Sequence, residues 1–128
     1  MSERRELRVD GLPEPISHYT DAVWAGDLLF VSGCVPVDAE GNLVAGDVVV
    51  QTQQVFRNIA LVLRAAGAGF ADVVKVTVFL TDIDDRVAVN TVRQQVFGGS
   101  RPASTLVEVS RLAIPGARIE VEAVAYVP

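Results

Sequence analysis

The segment Ala117 to Val127, "ARIEVEAVAYV", alternates two kinds of side chain. On an extended strand Ile119, Val121, Ala123 and Ala125 share one face, while Glu120, Glu122, Val124 and Tyr126 share the other. Such a strand belongs to a sheet with one face in a core and a second face of mixed character. The segment Asp72 to Asp82, "DVVKVTVFLTD", repeats the pattern, with Val74, Val76, Val78 and Leu80 set against Lys75, Thr77 and Phe79.

The remaining segments supply partners and a cover for that sheet. Thr20 to Pro36 holds two apolar runs around Gly26-Asp27, a hairpin signal, and Ser104 to Arg111 reads as a further strand. Between the hairpin and the first helix, "VDAEGNLVAGD" is a loop with a bridge expected at Leu43-Val44. From Val48 to Ala66, apolar residues at Val48, Val55, Ile59, Val62, Leu63 and Ala66 recur at helical spacing, with Asp47 as N-cap and Gly67 just past the end. "DIDDRVAVNTVRQQVFG" predicts a second helix carrying Val87, Val92, Val96 and Phe97, capped by Asp84 or Asp85 and ended by Gly98-Gly99.

The expected order is therefore β-β-α-β-α-β-β, an α+β fold in a single domain over residues 1–128. Two amphipathic helices cover one face of the sheet. The other face, carrying both carboxylates and aliphatic groups, is expected to meet a second copy of the chain.

Composition narrows the function. A net charge of −5, with eleven Lys and Arg scattered along the chain, opposes attraction to polyphosphate, so no nucleic-acid partner is expected. The lone cysteine, Cys34, forms no intrachain disulfide, and no Cys/His cluster offers a zinc site. No apolar run approaches the roughly 18 residues of a membrane span, and the N-terminal "MSERRELRVDG" lacks a signal-peptide core. The expectation is a cytoplasmic protein without a membrane partner. "GAGF" at Gly67 lacks the Lys-Ser/Thr of a phosphate loop and is expected to end a helix.

Several pieces, taken together, carry a resemblance. They are "SHYTDAV" from Ser17, "GDLLFVSGCVP" from Gly26, "QTQQVFRNI" from Gln51, "LRAAGAGFADVVKVTVFLTDIDD" from Leu63, "VN" at Val89, "RPASTLVEVSRL" from Arg101 and "IEVEAVA" from Ile119. With these the chain resembles the RidA/YjgF family of imine deaminases from about Pro13 to Tyr126. The resemblance implies a chorismate-mutase-like fold, one sheet with two helices on one face, assembled as a homotrimer with clefts between neighbouring subunits. It also implies hydrolysis of imines and enamines such as 2-aminoacrylate to 2-oxo acids and ammonia, with no cofactor and no metal.

Carried over position by position, the resemblance makes Glu120 the acidic residue that holds the attacking water. Tyr19 stands for the pocket tyrosine, Ser32-Gly33 for the Ser-Gly of the second strand, and Asn90 for the asparagine of the second helix. Cys34 adjoins that pair as a buried or pocket-wall thiol, and the single histidine, His18, is incidental. The departure lies at the strand mouth, where typical deaminating members read Pro-Ala-Arg-Ser-Thr. Without a gap, Ser104 stands in place of the arginine implied to bind the substrate carboxylate. A hydroxyl does not reproduce a guanidinium fork, and losing such a bond costs on the order of ten- to a hundredfold in binding. Arg101 reaches the cleft only if its loop folds inward.

Ser104 and Thr105 suit either a ligand contact or an ordinary strand start, and Glu120 either a water-holding role or an interface. The expected function is thus a hydrolase of small imines or enamines with altered substrate preference. The alternative is a non-catalytic trimer that binds a small molecule or a partner. A ribonuclease role is opposed by the acidic charge and the absence of a base-stacking aromatic cluster.

Overall fold

The computed structural model describes residues 3–128. Strands β1 (Arg4–Leu7), β2 (Ala22–Ala25) and β3 (Leu28–Cys34) come first. Helix α1 (Val48–Ala65), strand β4 (Val73–Leu80), helix α2 (Arg86–Phe97) and strands β5 (Ala103–Glu108) and β6 (Ile119–Tyr126) follow. All six strands form one sheet in the order β1-β2-β3-β6-β4-β5. Every pairing is antiparallel except β4 with β5, which α2 connects as a crossover.

The core takes the alternation literally. Ile119, Val121, Ala123 and Ala125 of β6 are buried with Val76, Val78 and Leu80 of β4 and Leu29 and Val31 of β3. Val55, Ile59, Val62 and Leu63 of α1 and Val89 and Val92 of α2 close over them. Each such Val, Leu or Ile side chain contributes about 1.5–3 kcal/mol by leaving water. Phe56, Phe70 and Phe97 meet edge to face at 5.3–6.1 Å between ring centres, joining the two helices to the turn before β4.

Asp47 caps α1 by accepting from the Val50 N–H at 3.1 Å, and Gly67, at φ +75°, turns the chain out of it. Asp85 precedes α2 without capping it through its side chain, and is held instead by Arg118 at 2.8 Å. The bridge near Leu43 forms with Val37.

Three details differ from the sequence expectation. Strand β1 is additional, and its Arg-Arg-Glu-Leu sequence has no apolar alternation; it is recruited by backbone pairing to β2, with the Arg5 guanidinium 5.5 Å from the Trp24 ring centre. Val74 points away from the core, because a bulge between Val73 and Lys75 resets the alternation and buries Val73 instead. Val87 is exposed, and Val89 takes the inward place at the start of α2.

The helix-free face of the sheet carries Leu28, Phe30, Val107 and Tyr126 exposed, with Leu28 opposite Tyr126 and Phe30 opposite Val124. Glu120 and Glu122 stand on this face too, opposite Phe79 and Thr77. Among the described residues no helix is long and apolar enough to cross a membrane.

Candidate functional site

The pairing of β3 with β6 is irregular at one place. Val31 faces Ala123 and Cys34 faces Val121, so β3 has one residue more than β6 across this interval, and the bulge falls on Ser32-Gly33. The Ser32 N–H donates to the Asp21 carbonyl at 3.0 Å and its hydroxyl to the Thr20 carbonyl at 2.5 Å. Both bonds fix the bulge to the segment that precedes β2. That segment is anchored in turn by Asp21, which is buried, accepts from the Val9 N–H at 2.8 Å and pairs with Arg8.

Beside the bulge lies a cavity of about 730 Å³ whose wall includes Tyr19, Ser32, Gly33 and Glu120, with Ile16 and Ile114 as apolar flanks. Gly33 is flat against Glu120, and a Cβ there would lie 2.9 Å from the Glu120 Cδ. Burial, reinforced by the charge of Glu122, holds the Glu120 carboxyl above the usual carboxylate range. No side-chain hydrogen bond engages Glu120 among the described residues, so its oxygens are open to a water or a ligand. Tyr19 is half exposed at the rim, its oxygen accepting from the Ile16 N–H at 3.4 Å.

The walls of this cavity are fixed by a buried amide. Asn58 on α1 donates to the carbonyls of Val35 and Val37, both at 3.0 Å, and accepts from Gln54. Gln51 anchors the segment that follows the cavity residues Ala113 and Ile114, donating to the Gly116 carbonyl and accepting from the Arg118 N–H at 2.8 Å. Neither residue stands out in sequence except as a polar interruption of an apolar helix face. Such an interruption at a buried position is the signal that could have found them.

Cys34 lies outside the large cavity, on a small one of about 60 Å³ that it shares with Asp21 and Asn58. Part of its surface is exposed, yet burial of the thiol, then the charges of Asp21 and Glu120, push it up to about 12. It is a protonated thiol at neutral pH and no nucleophile.

The other residues singled out in sequence stand elsewhere. Asn90 lines a separate cleft of about 560 Å³ between α2 and the turn that leads to β5. Ser104 accepts a hydrogen bond from Arg93 of α2 at 2.8 Å, and Thr105 meets Lys75 Nζ at 2.8 Å. Ser104 pairs with Val76, which pairs with Ala123, so Ser104 is on the helix-covered face; Glu120 pairs with Phe79 and is on the helix-free face. Within one chain the two groups therefore do not meet. His18 lines neither cavity, and among the described residues no three His, Cys, Asp or Glu side chains gather as a metal site.

Residues 11–127 match the family model described as Endoribonuclease L-PSP. The chain is 46% identical to a RutC family protein of Pyrococcus horikoshii over 118 residues, 91% of this chain and 93% of that one. It is 42% identical to the 2-iminobutanoate/2-iminopropanoate deaminase of Capra hircus, over 95% of this chain and 89% of the goat protein. Among solved structures, E. coli TdcF with bound serine superposes at a TM-score of 0.89 with 31% identity, covering 97% of this chain and 99% of that chain.

Proposed function

Since the chain belongs to the Endoribonuclease L-PSP family, that of the RidA and YjgF proteins, we propose that it hydrolyses small imines to carbonyl compounds and ammonia. The observation that carries this reading is the Glu120 carboxylate, unengaged and packed on Gly33 in the wall of a cavity of about 730 Å³. The deaminase named among the relatives and the serine bound to TdcF both favour a small amino-acid-derived ligand.

In this reading Glu120 accepts a hydrogen bond from a water and directs its lone pair at the imine carbon. The new C–O bond forms as the C=N π electrons move to nitrogen. Glu120 takes the water's proton and passes it to that nitrogen. The carbinolamine then collapses: Glu120 moves the hydroxyl proton to the amine nitrogen, the C–N bond breaks, ammonia leaves and the C=O forms, so imine and water become carbonyl and ammonia with no redox change. A carboxyl held above its ordinary range is the stronger base for this step. Tyr19, Ser32 and the backbone at Gly33 hold the ligand's polar end.

The reading includes a homotrimer. Glu120 and Ser104, on opposite faces of the sheet, act on one ligand when a neighbouring copy brings its α2–β5 edge to the first copy's cavity. The exposed Leu28, Phe30, Val107 and Tyr126 give a second copy apolar area to cover. Sedimentation at micromolar concentration tests the assembly, a monomer contradicting it.

The chemistry is tested with imines made in situ by an amino-acid oxidase, following ammonia or oxo-acid release. Acceleration by the wild type and its loss in Glu120→Ala are expected. A wild type that accelerates no imine, with or without a carboxylate, leaves the non-catalytic binding trimer as the function.

A further inference from the structure

The cleft between α2 and the turn before β5 has the composition of an anion site. Its wall includes Asn90, Arg93, Gln94, Ser100 and Arg101, and no Asp or Glu borders it. Neither arginine makes a salt bridge among the described residues. Arg93 is half-buried, and burial draws its guanidinium down from the ordinary value with no carboxylate to offset the loss.

One N–H of Arg93 is spent on Ser104, where Nη2 donates to Oγ at 2.8 Å. That bond tethers one end of the guanidinium and leaves its other donors unclaimed. Asn90, three residues earlier on α2, shares the helix side that faces the cleft and offers an amide beside the fork. A half-buried, tethered guanidinium without a counter-ion is matched by a planar two-oxygen anion.

We infer that Arg93, held by Ser104, is the residue that binds the carboxylate of a small 2-oxo or 2-imino acid in this cleft. Ser104 is a positioning residue: its short side chain leaves room for the guanidinium arriving from the helix and tethers it. The anion site rests on the geometry of Arg93 alone. The identity of the acid rests on the function proposed above, in which a neighbouring copy's Glu120 faces this cleft.

Calorimetric titration with 2-oxobutanoate and with 2-oxobutanamide tests the inference without requiring turnover. The wild type is expected to bind the acid, and Arg93→Ala to bind it roughly ten- to a hundredfold more weakly, with the amide little changed. Arg93→Lys keeps the charge without the fork and is expected to recover part of the loss for the acid; a structural role for Arg93 would not produce a loss confined to the acid. Equal binding of the acid by wild type and Arg93→Ala overturns the inference, as does an equal loss for acid and amide, or a wild type that does not bind the acid. Arg93-dependent binding in a protein that accelerates no imine hydrolysis upholds the inference and refutes the deaminase reading instead.

Discussion

Glu120 occupies the space that any side chain on Gly33 would need: a Cβ there would overlap Oε2 and come within 3.2 Å of Cγ. The atom that must give way is the end of a flexible side chain. Gly33→Ala is therefore expected to destabilise only at the low end of the ~1–3 kcal/mol of an overpacked site. Its activity should nevertheless fall toward that of Glu120→Ala, because the carboxylate swings off the cavity wall. Thermal melts and imine-hydrolysis rates measured on the same preparation check this; full activity with a large loss of stability is the contrary outcome.

The pH dependence follows from Glu120. Its folded value is raised, by burial first and by Glu122 second, so hydrolysis should rise with pH through a value above the ordinary carboxylate range. Glu122→Gln removes the second cause and is expected to move that limb to lower pH. Stability runs the other way: the contribution of a raised carboxyl is fully present below the unfolded value of about 4.3 and is lost as pH rises through the folded one. Glu120→Gln should gain stability relative to wild type at pH 7 and lose that advantage near pH 4, as melts at the two pH values would show.

Cys34 gives a reaction-independent probe of the same neighbourhood. With its thiol pushed up to about 12, the thiolate fraction at pH 8 is on the order of 10⁻⁴. Alkylation of the native protein is expected to be roughly a thousandfold slower than after unfolding in denaturant. Fast labelling of the native chain would show that the charges of Asp21 and Glu120 and the burial do not hold the proton.

The sheet was legible because its core strands alternate strictly: Ile119, Val121, Ala123 and Ala125 name their face without any tertiary information. Where a bulge breaks the alternation, as at Val74, the period-2 reading fails, because backbone hydrogen bonding decides which side the next residue takes. Strand β1 was illegible for a related reason: its pairing uses backbone groups that every sequence has. The resemblance named Glu120, Tyr19 and Ser32-Gly33, and these line one cavity. Arg93 was not legible from its own segment, since its meaning comes from Ser104, eleven residues on and across a helix-to-strand turn. Along the strand mouth the candidate cation is Arg101, whereas the fold delivers Arg93 from the helix beside it.

The opposite placement of Glu120 and Ser104 on the sheet makes each chain a donor of two unlike halves. If neighbouring copies join those halves, two defective proteins can repair each other. Glu120→Gln, inactive alone, and Arg93→Ala, impaired alone on carboxylate imines at low concentration, should regain activity when unfolded together and reassembled at equal concentration. One cleft in four then draws its Glu120 side and its Arg93 side from unmutated faces, so about a quarter of wild-type activity is expected under random assembly. No recovery in verified mixed oligomers would mean that both halves act within a single chain.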